Sequence, residues 1–471
     1  MLWKGDIVRC YTPHARDERI RLLGLTFAMA TCVLPSFAQT VNFSLAAQPS
    51  GTKEAPLTLT LKDALALAEK NDPALFAATS DAIAAGEDRK QARAALYPLL
   101  SGRSEYLGTQ GDGKLPQGRF VTNDGVHVYR DWAVLHQDLS PGVLSRVAVE
   151  RAGATEAIAR AKLEMARRGL RATVTKNYYA LIVAQRKYAT AQQALDQAVQ
   201  SLRISQDLER GREVAHSDVV KSQLQENSQQ QALQETKLGM ENARLDLAVL
   251  LFRDFDESFS IVDDLDLAPT LPPLSDVETM AGRQNPSLAA AMETLRSTRL
   301  DVTIARQAFL PTLTVDAVYG IEANAFALNS ATAANKELGP VPNLGYFITA
   351  SLNVPVWDWG VRRSKVRQSE LKQKQAAEDL SVTQRTLIRN LRGFYDEAQT
   401  ARQQIDYLRR AVDLASESLR LSALRYQAGE ATIVELTDAQ SSLIQARNSY
   451  DDGMVRYRLA VSNLQTLTGT F

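Results

Sequence analysis

Two carboxylates three positions apart, Glu435 and Asp438 in GEATIVELTDAQ (residues 429–440), are the side chains whose type and spacing most invite a chemical reading. They follow Gly429 and a short turn, at what the pattern predicts to be the tip of a helical hairpin. Glu435 fits a capping box, with Thr432 capping the helix start and the glutamate bonding back to it. Asp438 lies outside that box, and either acid is favoured by the helix dipole. Gly211 marks the corresponding turn in the first half of the chain, with Asp218 beyond it.

Catalysis finds little support in the rest of the chain. Beyond residue 38 the histidines are His127, His136 and His216, none in a metal-ligand spacing. There is no Gly-x-Ser-x-Gly, no phosphate-binding glycine loop and no cysteine pair. Tyr178-Tyr179 reads as helix packing, and His216, at the first hairpin tip, as a surface residue and not a catalytic one. No catalytic residue, metal site or cofactor is expected.

Lysine plus arginine and aspartate plus glutamate each number 54 in 471 residues. No global charge therefore draws the chain to nucleic acid or anionic lipid, and any electrostatic function is local. Residues 1–38 read as a secretory signal: Arg16, Arg19 and Arg21 precede an apolar run that ends in Ser36-Phe37-Ala38. A lipoprotein signal using Cys32 is the weaker reading, because Met29-Ala30-Thr31 lacks the usual leucine and a small residue before the cysteine. Cys10 and Cys32 both fall in this segment, which leaves the mature chain without a disulfide. Residues 39–56 follow as a linker. No later apolar run reaches the roughly 18 residues a spanning helix needs, so a mature chain embedded in a membrane must cross it with strands.

The chain is written twice. NDPAL and QARAALYPLL in residues 71–100 reappear as QNPSL and IARQAFLPTL in 284–313, and an offset of 213 also pairs Arg93 with Arg306, Ala95 with Ala308 and Tyr106 with Tyr319. Farther on an offset of 218 pairs Gly142 with Gly360 and Gly211 with Gly429, which implies about five residues inserted in the middle of the second copy. Pro269, Pro272 and Pro273 separate the copies, 57–268 and 269–471, which together form one folding unit.

Each copy opens with an amphipathic helical segment that ends at a Tyr-Pro or Leu-Pro step, where proline forces extended geometry. A stretch with strand character follows, about 100–140 and 312–358. Then comes a long proline-free run rich in Ala, Gln, Leu, Arg and Glu, all good helix formers. From Ile388 to Tyr426 apolar and small residues recur at alternating steps of 3 and 4, a coiled-coil period, broken at Arg402. The helix from Val361 would be roughly 100 Å long. In GYFITASLNVPVWDW, Tyr346, Ile348, Ala350, Leu352 and Val354 alternate with a mostly polar set, as do Leu313, Val315, Ala317 and Tyr319. The first copy alternates only in part. Strands of this length suit a tilted bilayer crossing, with Trp132, Trp357 and Trp359 near the interface. Two hairpins supply four strands, and spanning barrels start at about eight, so several protomers would have to share one barrel.

In this order and duplicated, LTLKDALALAEKNDPAL, the Tyr-Pro and Leu-Pro steps, VPVWDWGVRRSKV and YQAGEATIVELTDAQ carry a resemblance to the TolC-like outer-membrane efflux protein family over about residues 57–468. The fold class the resemblance implies is mainly α with a small β part: a tandem-repeat, long-helix coiled-coil barrel plus four transmembrane strands per protomer, a homotrimer sharing one 12-stranded barrel. It implies a periplasmic adaptor (membrane fusion) protein, an inner-membrane pump and outer-membrane lipid as partners, with no nucleic acid, and the export of drugs or secreted substrates. It also implies a periplasmic gate at which Glu435, Asp438 and Asp218 ring the entrance and Tyr426 helps hold the closed state. This chain has Ala431 where an arginine is expected. Three protomers converging there would crowd like charges, which disfavours their ionisation and attracts cations. The rival class is a soluble periplasmic coiled-coil adaptor, which would share the signal and helices but lack paired strand hairpins.

Overall fold

The computed structural model describes residues 57–108, 127–253, 258–267, 269–323, 326–333 and 340–470. The expected signal with both cysteines, the 39–56 linker and residues 109–126, between the two strands of the first hairpin, lie outside these residues. Chain order runs β1 (Leu57–Leu59), α1 (Leu61–Asn71), α2 (Pro73–Ala94), β2 (Leu99–Gly108), β3 (His127–Asp138), α3 (Pro141–Leu144), α4 (Val147–Arg210), α5 (His216–Leu251) and β4 (Phe259–Ile261). It then repeats as α6 (Leu274–Gln284), α7 (Pro286–Gln307), β5 (Thr312–Ala323), β6 (Asn329–Ala333), β7 (Pro340–Pro342), β8 (Leu344–Asn353), α8 (Val361–Gln427) and α9 (Ile433–Thr468). No helix among the described residues is long and apolar enough to cross a membrane.

The NDPAL and QNPSL motifs are helix starts. Asp72 and Asn285 accept hydrogen bonds from the N–H groups of Leu75 (2.7 Å) and Leu288 (3.0 Å), and a proline follows each cap where its missing N–H costs nothing. The side-chain amide of Asn71 donates to the last-turn carbonyl of α5 at Leu251, 2.6 Å away, so α2 takes over where α5 stops. Near the strands the helices lie side by side as α2, α4, α7 and α8, and toward the hairpin tips as α5, α4, α9 and α8. α4 and α8, 64 and 67 residues long, run the whole height, roughly 100 Å.

The sheet has the order β2-β3-β5-β8, all antiparallel, and its two outer strands are unpaired along their outer edges. Register sorts the side chains into two faces. Leu100, Tyr106, Tyr129, Leu135, Val315, Tyr319, Tyr346 and Ile348 share the apolar face, interrupted by Ser104 and Asp131, which hydrogen-bond to each other. Arg103, Glu105, Arg130, His136, Asp316 and Glu322 share the polar face, tied by Arg130–Glu322 at 2.8 Å and His136–Asp316 at 2.6 Å.

Trp132 has its own surroundings in the sheet. It lies on the polar face, with Arg103 and Arg130 over its ring and Phe347 edge-on at 5.8 Å. Its ladder partner is Gly320, where a Cβ would come within 2.1 Å of the Asp131 carbonyl oxygen, so only glycine admits this approach of β3 and β5. Tyr106, Tyr129, Tyr319 and Tyr346 supply the aromatics of the apolar face instead. Trp357 and Trp359 stack edge to face at 5.7 Å on the corner between β8 and α8, both strongly exposed.

The repeat offset also differs from the sequence reading. Paired ladder positions Leu99–His136 and Thr312–Asn353 make the second strand of the hairpin equivalent at an offset of 217. The long helices start 214 positions apart and end 217 apart, because α8 is three residues longer than α4. The strand-to-helix corner holds Arg146 at φ 58 in the first copy and Gly360 at φ 87 in the second, so Gly360 is equivalent to Arg146 and not to Gly142, which lies in α3. An offset of 218 matched glycines by type, whereas backbone conformation pairs the left-handed residues.

The core is densest midway along the helices, where Tyr178 and Tyr179 of α4 are fully buried beside the β1–β4 pair. Tyr178 donates to the Val262 carbonyl at 2.7 Å, and burial pushes the Tyr179 phenol up to about 12. Two helical turns on, Arg186 binds Asp263 (2.6 Å) and Asp266 (2.8 Å) of the segment after β4 and Asp451 (3.0 Å) of α9. Burial opposes the guanidinium's charge, but its three carboxylate partners hold it firmly protonated. Burial also raises the Asp451 carboxyl against the pull of Arg186, while the hydrogen bond from Arg186 lowers Asp266 below its ordinary 3.8.

Arg186→Ala strands the buried Asp451 and is expected to cost about 3 kcal/mol, read as a lowered Tm in detergent. Asp266, held below its ordinary value, contributes stability at neutral pH that is lost as pH falls through its folded pKa, below about 4. The wild-type Tm is therefore expected to fall more steeply in that range than the variant's.

Candidate functional site

Both helical hairpins turn by the same device. In the first, Gly211 ends α4 in right-handed geometry, Arg212 takes the left-handed conformation (φ 62), and the Glu213 N–H bonds back to the Leu208 carbonyl at 2.9 Å. In the second, Ala428 ends α8, Gly429 is left-handed (φ 73), and the Glu430 N–H bonds to the Arg425 carbonyl at 2.9 Å. A left-handed residue just past a helix end satisfies carbonyls the helix leaves open. The tips thus correspond at an offset of 217: Arg212 is the equivalent of Gly429, and Gly211 the equivalent of Ala428. The caps Ala215 and Thr432 keep that offset, as do Asp218 and Glu435.

The expected gate residues gather at these tips in different states. Glu435 sits in the first turn of α9, exposed, and its N–H donates to the Thr432 hydroxyl at 3.3 Å. The second half of the capping box does not form, because the Glu435 carboxylate turns to Arg425 at 3.3 Å. Arg425 also donates to the Glu430 carbonyl at 3.2 Å. An arginine from the last turn of α8 therefore braces the tip where Ala431 provides none. Asp438, one turn farther, is exposed and makes no ion pair or side-chain hydrogen bond with a described residue. Asp218 lies in the first turn of α5, 3.7 Å from Lys221.

Tyr426 is the buried member. Its hydroxyl meets the Ser205 hydroxyl at 2.7 Å, which meets that of Ser222, also at 2.7 Å. One turn back, the Gln440 amide donates to the Ser201 hydroxyl at 3.1 Å. This buried, uncharged network joins α8, α4, α5 and α9, with Ile433 and Leu436 packed beside it. Ser201, Ser205, Ser222 and Gln440 escaped the sequence reading. A signal for two of them exists: Ala191, Ala194, Ala198, Ser201 and Ser205 follow alternating steps of 3 and 4 and are the buried seam of α4. His216 pairs with Glu209 at 2.8 Å on the surface. Among the described residues no three His, Cys, Asp or Glu side chains gather where they could hold a metal.

The arrangement is a set of acids at two helix starts, Glu435 and Asp438 exposed and Asp218 half-buried, beside a buried polar brace. The model of the family described as outer membrane efflux protein matches residues 279–470. The solved Campylobacter jejuni CmeC outer membrane channel superposes with a TM-score of 0.74 at 18% identity, covering 87% of this chain and 85% of that one. The second half of the chain thus matches the outer membrane efflux protein family, and the whole described chain shares the fold of CmeC. TolC of Vibrio cholerae is 27% identical over 190 residues, 40% of this chain and 42% of the relative. The pyoverdine export outer membrane protein OpmQ of Pseudomonas putida is 31% identical over 186 residues, 39% of this chain and 35% of the relative. The chain thus aligns with under half the length of these curated relatives. The printed names of both relatives describe outer membrane proteins, and that of OpmQ adds pyoverdine export.

Two substitutions probe the tips. Ser205→Ala leaves the buried Tyr426 and Ser222 hydroxyls short of a partner and is expected to cost about 2 kcal/mol, seen as faster amide exchange across residues 426–436. Arg212→Gly is expected to slow exchange at the first tip by relieving about 1 kcal/mol of left-handed strain.

Proposed function

We propose that three copies of this chain close one twelve-stranded barrel in the outer membrane, and that the barrel and its helical tunnel export substrates from the periplasmic side, entering at the hairpin tips. The observation that carries this reading is the four-stranded sheet with one exposed apolar face and both edges unpaired. Such a sheet in lipid must pair its edges, and strands span bilayers only as closed barrels. β2 and β8 run antiparallel across the sheet, so β8 of one copy can pair with β2 of the next in the same sense. The helix row supports the same closure: the α5 edge exposes Leu224 and Leu238, and the α8 edge exposes Leu371 and Leu414.

At the tips, three copies of Glu435, Asp438 and Asp218 would form an acidic ring that concentrates cations. Arg425 offsets part of that charge at Glu435, so Asp438 is its main source. A periplasmic adaptor and an inner-membrane pump would complete the export path, a reading supported by the export function in the name of OpmQ. The soluble adaptor alternative has no use for a sheet of this kind.

Two measurements test the proposal. Outer-membrane fractions are expected to yield a heat-modifiable trimer that resists carbonate washing; release by carbonate would overturn the channel reading. In planar bilayers, Asp438→Ala is expected to weaken block by multivalent cations about tenfold, with Glu435→Ala having the smaller effect. Unchanged block in the double variant would remove the ring and leave the channel standing.

A further inference from the structure

At the corner where strands become helices the chain encloses a cleft of about 340 Å³. The ends of α2 and α7 form its sides, with Leu96, Ile304 and Ala308, and α3 closes it with Val143. Two donors face this apolar space without a partner. Ser140 is only 6% exposed, yet its hydroxyl has no hydrogen-bond partner. A buried hydroxyl left so costs about 1–3 kcal/mol. Arg146 also lines the cleft, and its guanidinium makes no ion pair or hydrogen bond with a described residue.

Arg146 is also held against its backbone preference. Its φ of 58 is the left-handed region that disfavours side chains, and its equivalent in the second copy is Gly360. An arginine kept where the fold prefers glycine implies a use for the side chain. The one carboxylate on the cleft, Asp138, is already engaged: its Oδ1 accepts from the Ser140 N–H at 2.8 Å. The cleft therefore offers a guanidinium and a hydroxyl at one place and an apolar wall beside them.

We propose that this cleft binds a phospholipid of the periplasmic leaflet, with its phosphate on Arg146 and Ser140 and part of an acyl chain against Leu96, Val143 and Ile304. The assignment rests on the channel reading, which puts the last residue of β3 and the first of β5, both on the cleft, at the periplasmic surface of the membrane. Arginine binds phosphate through several N–H groups at once, and an apolar wall rewards a hydrocarbon tail that a free anion lacks.

Native mass spectrometry of the purified full-length trimer, stripped in detergent and titrated with phosphatidylglycerol, tests the site. The expected result is one tightly held phospholipid per protomer, affinity about tenfold or more weaker in Arg146→Gly, and a smaller loss in Ser140→Ala. Arg146→Gly installs the residue its own repeat uses, so it is expected to fold, and heat-modifiable migration checks this. Unaltered phosphatidylglycerol binding in Arg146→Gly overturns the site. Full displacement by millimolar inorganic phosphate overturns the lipid in favour of a free anion. A wild-type trimer that retains no phospholipid removes the site alone, whereas a wild-type chain that never enters the membrane fraction removes the channel reading beneath it.

Discussion

The unpaired outer edges of the four-stranded sheet are the constraint on which the rest depends. Backbone N–H and C=O groups that end in lipid have no water to satisfy them, and each left open costs several kcal/mol. A sheet with one apolar face and two open edges therefore needs partners for those edges, which the proposed trimer would supply. The long helices inherit the same incompleteness. They pack in a row four wide at every height, not around a closed core, and the apolar residues at the two margins are left without partners in the single chain.

Duplication makes this architecture economical, and the differences between the copies show where it has been adapted. The helix-start caps are conserved in kind, Asp72 with Pro73 and Asn285 with Pro286, because both must seat a new helix where a long one ends. The corners and tips diverge. At each, one copy places glycine in the left-handed conformation and the other places arginine, Gly360 against Arg146 and Gly429 against Arg212. Arginine there costs conformational energy that glycine avoids. The strain at Arg146 coincides with the cleft that Ser140 and the ends of α2 and α7 line, and the proposed lipid site would account for the asymmetry. No comparable partner is evident for the Arg212 side chain among the described residues.

The hairpin tips combine two kinds of polar group with opposite demands. Exposed carboxylates cost nothing to hold in water, and their value lies in the field they set up together. The buried hydroxyls of Tyr426, Ser205 and Ser222 need one another, and the chain meets that need without introducing a charge into the seam. Midway up the helices the solution is different: Arg186 and its three carboxylates tie α4 and α9 to the segment after β4, where partial exposure lets a charged cluster persist.

What the sequence determined by itself was the periodic part of the molecule. A repeat of 213 positions, long proline-free runs with a 3-4 seam, and period-two alternation in GYFITASLNV dictated the long helices, the strands and their order, because each reflects one element's contact with a single environment. The acids at 218, 435 and 438 were legible for the same reason, since helix starts and turns are local. Tertiary structure decided everything that depends on two chain segments meeting. Trp132 belongs to the polar face because its ladder partner is Gly320, 188 positions away. Arg425 displaces half of a capping box because α8 returns beside α9. The equivalence of the tips at 217 follows backbone conformation, which residue type does not reveal when arginine occupies a glycine's place. Side chains that act across such distances are specified jointly, and no window along one segment contains the information.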